Sequence, residues 1–169
     1  MSDPVVTIEP ARRDELPEIG RLAGVIWRSH YPGIIAAAQI EYMLERGYSL
    51  PALERLADRP GYRFELLRVD GTPVGFVGYF PAAEPATMKL DRIYVLPERH
   101  GQGLGRRLIE HVAAAARAAG CTSLILTVNR GNAKAIAAYR RAGFDIREST
   151  VLDIGGGFVM DDYVMARPL

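Results

Sequence analysis

"VLPERHGQGLGRRLIEHV", residues 95–112, carries an apolar, strand-like run through Gly101, Gly103 and Gly105 into a strongly periodic helix. Each glycine at such a place costs a helix or strand roughly 0.5–1 kcal/mol relative to alanine, so the spacing must serve something other than secondary structure. A loop that leaves the carboxyl end of a strand and enters a helix presents several unpaired N–H groups and the positive end of the helix dipole, which together bind phosphate. Glycine lets the backbone approach the oxygens and adopt positive φ. The stretch reads as a pyrophosphate loop, against the plainer reading of an ordinary glycine-rich connection.

Working outward, the helix over about Leu104–Ala119 places Leu104, Leu108, Val112, Ala115 and Ala119 on one stripe, and Gly120 ends it. Upstream, "PVVTI" is a short first strand; Asp14 caps a helix with Leu16, Ile19, Leu22, Ala23, Ile26 and Trp27 at helical spacing. "AAAQIEYMLERG" closes a second helix at Gly47, and "SLPALERLAD" opens a third at Ser49. "YRFELLRV" and "PVGFVGYF", joined through "DGT", signal a β-hairpin, and "MKLDRIYVL" is a further strand. Downstream, the continuous apolar run "SLILTV" predicts a strand covered on both faces. A helix over Asn132–Ala142 stops at Gly143, and two final strands flank "GGG". The fold class is α/β: one domain over 1–169, with a mixed central sheet of about seven strands covered by helices.

The whole chain narrows the function. Its 169 residues, 49% hydrophobic and 24% charged, suit one globular domain that needs no staple. A net charge of +1 gives no reason to expect nucleic acid, and no run reaches the ~18 apolar residues of a membrane span. With no signal-peptide core at the amino terminus, a cytoplasmic protein is expected. The single cysteine, Cys121, makes no internal disulfide and has no companions at metal-ligand spacing, so no metal is expected.

Spacing separates the phosphate loops. A Walker loop needs Lys-Ser/Thr after its second glycine, but Arg106 and Arg107 follow Gly105. The dinucleotide fingerprint needs glycine at positions one, three and six, and the sixth residue from Gly101 is Arg106. "HGQGLG" instead resembles the acetyl-CoA loop of the GCN5-related N-acetyltransferases, the GNAT family, whose pattern is Arg/Gln-Gly-x-Gly-x-Gly/Ala. The resemblance runs through nearly the whole chain. "KLDRIYVLP" is similar to the family's fourth strand, which splays from the fifth, and "VNRGNAKAIAAYRRAGF" to the segment after the fifth strand, with Asn132, Tyr139, Gly143 and Phe144 in the matching places. "WRSHYPGII", "QIEYMLERGYS" and "GGFVMDDYVM" resemble the PaiA-like branch, some of whose members acetylate polyamines. His100 departs from the pattern, standing where the family usually carries Arg or Gln.

The resemblance implies a GNAT-like acyl-CoA N-acyltransferase fold with acetyl-CoA as co-substrate. It implies cofactor contacts from Tyr94, Val95, His100, Gly101, Gln102, Gly103, Leu104, Gly105, Arg106, Asn132 and Tyr139. The implied reaction is direct attack of a small-molecule or peptide amine on the thioester. An alkyl amine with a pKa near 10.4 needs a base or water chain to take its proton. The backbone N–H near Val95 is the implied oxyanion donor, and Tyr139 the implied proton donor to the leaving thiolate. Plainer readings stand beside these: Tyr139 as a packed aromatic, Asn132 as a helix N-cap. Asp91 and Glu84 are candidate bases, or solvated carboxylates. Trp27, Tyr31 and Tyr42 line an amine pocket or belong to the core; Asp161 and Asp162 attract a polyamine or face solvent. Nucleic acid and membrane are not expected as partners, while a homodimer is compatible. The alternative function is a non-catalytic acyl-CoA-binding or regulatory module with the same fold.

Overall fold

The computed structural model describes residues 2–169. β1 (Val6–Pro10) leads through a 3-10 turn at Arg13–Glu15 into α1 (Leu16–His30), α2 (Ala37–Tyr48) and α3 (Leu50–Ala57). Then come β2 (Arg63–Val69), β3 (Thr72–Pro81), β4 (Thr87–Val95), α4 (Leu104–Ala118), β5 (Ser123–Asn129), α5 (Ala133–Arg141), β6 (Asp145–Gly155) and β7 (Phe158–Pro168). One seven-stranded sheet runs β1-β2-β3-β4-β5-β7-β6. Every neighbouring pair is antiparallel except β4–β5. No helix among the described residues is long and apolar enough to cross a membrane.

The turn chemistry is local. Asp70 and Gly71, both at positive φ (50° and 81°), make the tight β2–β3 hairpin. Ser49 caps α3 by accepting the Ala52 N–H at 3.4 Å. Asp14 does not cap α1: it lies in the 3-10 turn, paired with Arg12 at 3.1 Å. There the Arg12 N–H donates to Glu15 Oε1 at 3.0 Å, and α1 starts from Glu15 without a side-chain cap, its early Pro17 having no N–H to satisfy.

Adjacent strand residues point to opposite faces, and the two faces have different covers. α1–α3 lie over the face that carries Phe76, which meets the Tyr48 ring at 5.9 Å. α4 lies over the other, where its His111 meets the buried Glu65 of β2. The buried stripe of α4 is Leu104, Leu108, Ile109, Val112, Ala113 and Ala116. Ala115 is only half-buried and Ala119 is exposed, because in an alanine-rich last turn the pattern does not say which small residue faces the sheet. β5 departs further from expectation. Leu124, Leu126 and Val128 are buried while Thr127 is exposed, so it is covered on one face only. Its other face opens on a cleft.

Candidate active site

The cleft begins where the ladder stops. β4 and β5 pair over three positions only, Thr87–Lys89 with Ser123–Ile125, so the rest of the two strands diverge towards their carboxyl ends. The gap between them is part of a cleft of about 1280 Å³. Small-molecule sites usually occupy about 300–1,000 Å³, so there is room here for two substrates. At the mouth the Leu96 N–H donates to Val74 O at 2.8 Å. By the alternation of an antiparallel ladder, Val95 then turns its own N–H and C=O away from β3, towards the gap. The backbone of Tyr94, in register with Phe76, belongs to β3. Tyr94 gives the cleft its ring instead.

The glycine loop closes one end. Gly101 and Gly103 sit at φ 78° and 75°, in the left-handed region that favours glycine. Gly103 is the N-cap of α4 and no side chain caps the helix, so the first N–H groups of the helix remain without intrahelical partners. Gly105 is different. Its φ is ordinary, and a Cβ built on it meets no protein atom within 4 Å. Neither backbone nor packing requires glycine there. Arg99, Arg106, Lys134 and Arg141 also line the cleft.

His100 is already engaged. Its Nε2 lies 2.9 Å from Val95 O, which makes Nε2 the protonated nitrogen, and Nδ1 faces Lys134 Nζ at 3.5 Å. A cationic side chain, Lys134, therefore stands beside the loop histidine.

The α5 side holds the other residues expected from the sequence. Asn132 is buried and caps α5, its Oδ1 accepting the Ala135 N–H at 3.3 Å. The same oxygen lies 3.1 Å from His30 Nε2, which ties α5 to the end of α1. Tyr139 lines the cleft and packs its ring edge-on to Phe144 at 5.9 Å. Burial, then the nearby Tyr31, pushes its pKa up. Tyr31 and Tyr94 share a hydrogen bond of 3.2 Å between their hydroxyls, and burial raises both.

The carboxylates separate sharply. Glu84 lies outside the cleft, bound to Arg147 at 3.0 Å, and Asp161 is on the surface, bound to Arg130 at 3.1 Å. Asp91 lines the cleft, but its Oδ2 accepts the Tyr62 hydroxyl at 2.7 Å and lies 3.5 Å from Arg92 Nε. Asp162 also lines it, is 4% exposed, and among the described residues has no ion pair or side-chain hydrogen bond. Among the described residues, the buried side-chain polar atoms without a partner are Asp162 Oδ1 and Trp27 Nε1, and both residues line this cleft. Tyr42 lies outside, donating to Ile154 O at 2.7 Å.

Residues 26–144 match the sequence profile of the Acetyltransferase (GNAT) family. The chain belongs to that family. It is 34% identical over 114 residues to an IAA acetyltransferase of Azospirillum brasilense, covering 68% of this chain and 69% of that one. It is 34% identical over 105 residues to an aminoglycoside N(6')-acetyltransferase of Stenotrophomonas maltophilia, covering 58% and 69%. Its fold is similar to that of the PaiA N-acetyltransferase of Thermoplasma acidophilum, crystallised with coenzyme A: TM-score 0.82, 22% identity, 98% of this chain and 99% of that one. In this GNAT enzyme the residues expected from the motifs converge: Asp91, Tyr94, Val95, His100, Gly101, Gly103, Leu104, Gly105, Arg106, Asn132 and Tyr139 line one cleft, and Gln102 lies in its loop. Two contributors were not read from the sequence. His30 and Lys134 act on Asn132 and His100 across the chain, and no local pattern announces such pairs. The burial of Asp162 did leave a signal, an acid in line with Phe158, Met160 and Val164 on one face of a period-two strand.

Proposed function

We propose that this GNAT enzyme transfers the acetyl group of acetyl-CoA to a primary amine, a small molecule such as a polyamine or a peptide or protein amine, by direct attack in a ternary complex. The observation that carries this reading is the β4–β5 divergence running up to a helix start whose Gly105 is bare for no reason internal to the protein. Free N–H groups at α4 and the cations around it suit a pyrophosphate. The open edge of β4 suits the amide-bearing arm that follows. Relatives named for IAA and aminoglycoside acetyl transfer support the reaction class.

In this reading the loop N–H groups from Gly101 to Arg106 hold the pyrophosphate, with Lys134 supplying charge beside His100, and the Asn132 cap sets the pitch of α5. The Val95 N–H, turned into the gap, stabilises the oxyanion that forms as the amine adds to the thioester carbonyl. The C–N bond forms, the C–S bond breaks, and Tyr139 gives its proton to the departing thiolate. Asp91, already accepting from Tyr62 and facing Arg92, conducts protons outward through water. The only cysteine, Cys121, is not among the residues that line the cleft, so no thiol is at hand for an acyl-enzyme.

The test is release of free CoA thiol from acetyl-CoA by the purified protein, with and without a panel of primary amines. Amine-dependent release with mass-confirmed N-acetyl product is expected. Tight CoA binding with no release for any amine would assign the alternative, a non-catalytic acyl-CoA-binding module.

A further inference from the structure

A buried carboxylate without a partner is expensive unless a ligand completes it, and Asp162 is such a group on the wall of the reaction cleft. β7 stands beside β5 in the sheet, with Asp162 in register with Asn129, at the end of β5 that diverges from β4. On its other side Asp162 is in register with Thr150 of β6. Its face of β7 also carries the apolar Met160 and Val164. The charged and titratable groups facing it are Lys89 of β4, Glu148 of β6, and Tyr31 at the end of α1, with Asp161 as its chain neighbour. Among the described residues no cationic side chain lies within 4 Å of it, whereas Asp161 has Arg130. Trp27 and Tyr31, their rings 4.3 Å apart, add aromatic faces of the kind that attract a cation.

We propose that Asp162 is the acceptor seat of this enzyme: its carboxylate takes the ammonium of a cationic aliphatic amine and receives the proton that must leave before the nitrogen attacks. This rests on the acetyl-transfer reading above and specifies its acceptor class. The proton balance is complete. The ammonium gives one proton to Asp162, which passes it to solvent. The freed lone pair forms the C–N bond, and the second proton lost from nitrogen replaces the one that Tyr139 gives to the sulfur. Acceptors that carry a carboxylate next to the amine are disfavoured at the seat by like charge, and diamines and polyamines are favoured over amino acids.

Burial, then Asp161, pushes the Asp162 pKa up to about 6, with Lys89 opposing. The wild-type kcat/KM for an alkyl diamine should therefore rise with pH to about 7 and then stay level up to the pKa of the amine, near 10.4, because ammonium and carboxylate are the pairing forms. Asp162→Asn should lower that kcat/KM about 10²-fold at neutral pH. Its profile should keep climbing tenfold per pH unit through the alkaline range, because only the neutral amine now enters. Acetyl-CoA affinity, by calorimetry, should not change. Asp161→Asn, on the surface, should keep the wild-type level at neutral pH while its acid limb moves to lower pH, because Asp161 helps to raise the Asp162 pKa. If Asp162→Asn keeps kcat/KM within about threefold and the level wild-type profile, the seat is elsewhere while the transferase reading stands. Should the Asn variant fail to fold, the wild-type profile decides alone, and an absent acid limb overturns the proposal. If wild type acetylates no amine, both readings fall together.

Discussion

Burial raises the pKa of Tyr139 and of Asp162, with opposite consequences. For Tyr139 it keeps the hydroxyl protonated throughout any assay range, which is what a proton donor requires. General acids contribute typically about 10²–10⁴ in rate, and a thiolate is already a fair leaving group, so Tyr139→Phe is expected to lower kcat about 10²-fold. Acetyl-CoA affinity and melting temperature should hardly move. Turnover within about twofold of wild type, where chemistry limits the rate, would return Tyr139 to packing. For Asp162 burial is a cost. A carboxyl whose pKa rises from 3.8 to about 6 on folding burdens the folded state at neutral pH by up to ~3 kcal/mol. That burden is full above the folded pKa and vanishes below the unfolded one. Asp162→Asn should therefore melt higher than wild type at pH 7–8 and lose the advantage as pH falls towards 4, measured by thermal denaturation across that range. The spacing of Tyr139 from Asn132 was legible in the sequence. The isolation of Asp162 was not, since it depends on which neighbours β5 and β6 supply.

At the scale of elements, the loop and α4 were legible because glycine, helix periodicity and strand end coincide within 18 letters, residues 95–112. β5 was misread for an informative reason: "SLILTV" reads as a nearly continuous apolar run, but its Thr127 face opens on the cleft and not on a packed layer. Composition cannot tell a face kept for a ligand from one covered by a helix. The three loop glycines, alike in the sequence, are expected to answer substitution differently. Gly101→Ala and Gly103→Ala, at positive φ, should each destabilise the fold by about 1–2 kcal/mol. Gly105→Ala lies in ordinary helical backbone and should stabilise α4 by up to ~1 kcal/mol. It should nevertheless weaken CoA binding, because its methyl enters the space left for ligand. Denaturant titration alongside calorimetric CoA titration separates the two effects. A Gly105→Ala protein that is stabilised and binds CoA normally would mean that nothing approaches the helix start.

Across the whole molecule, stability and chemistry occupy different places in the sheet. On the α4 side, buried Glu65 accepts the Tyr79 hydroxyl at 2.5 Å and meets the half-buried His111, joining β2, β3 and α4. Neither Glu65 nor Tyr79 lines the cleft. Glu65→Ala strands both partners and should cost roughly 3 kcal/mol in denaturant unfolding, with CoA affinity of the folded protein intact. The cleft, by contrast, holds the unpartnered Asp162 and Trp27, a bare helix start and an interrupted ladder, features that leave polar groups unsatisfied within the fold. In the proposed reading one cleft takes both substrates and the acetyl group passes directly from thioester to amine. The most direct measurement is the initial rate of thiol release with acetyl-CoA and an alkyl diamine both varied. Intersecting double-reciprocal lines are the result expected of a ternary complex, and parallel lines, with acetyl retained on the protein when amine is withheld, would contradict it.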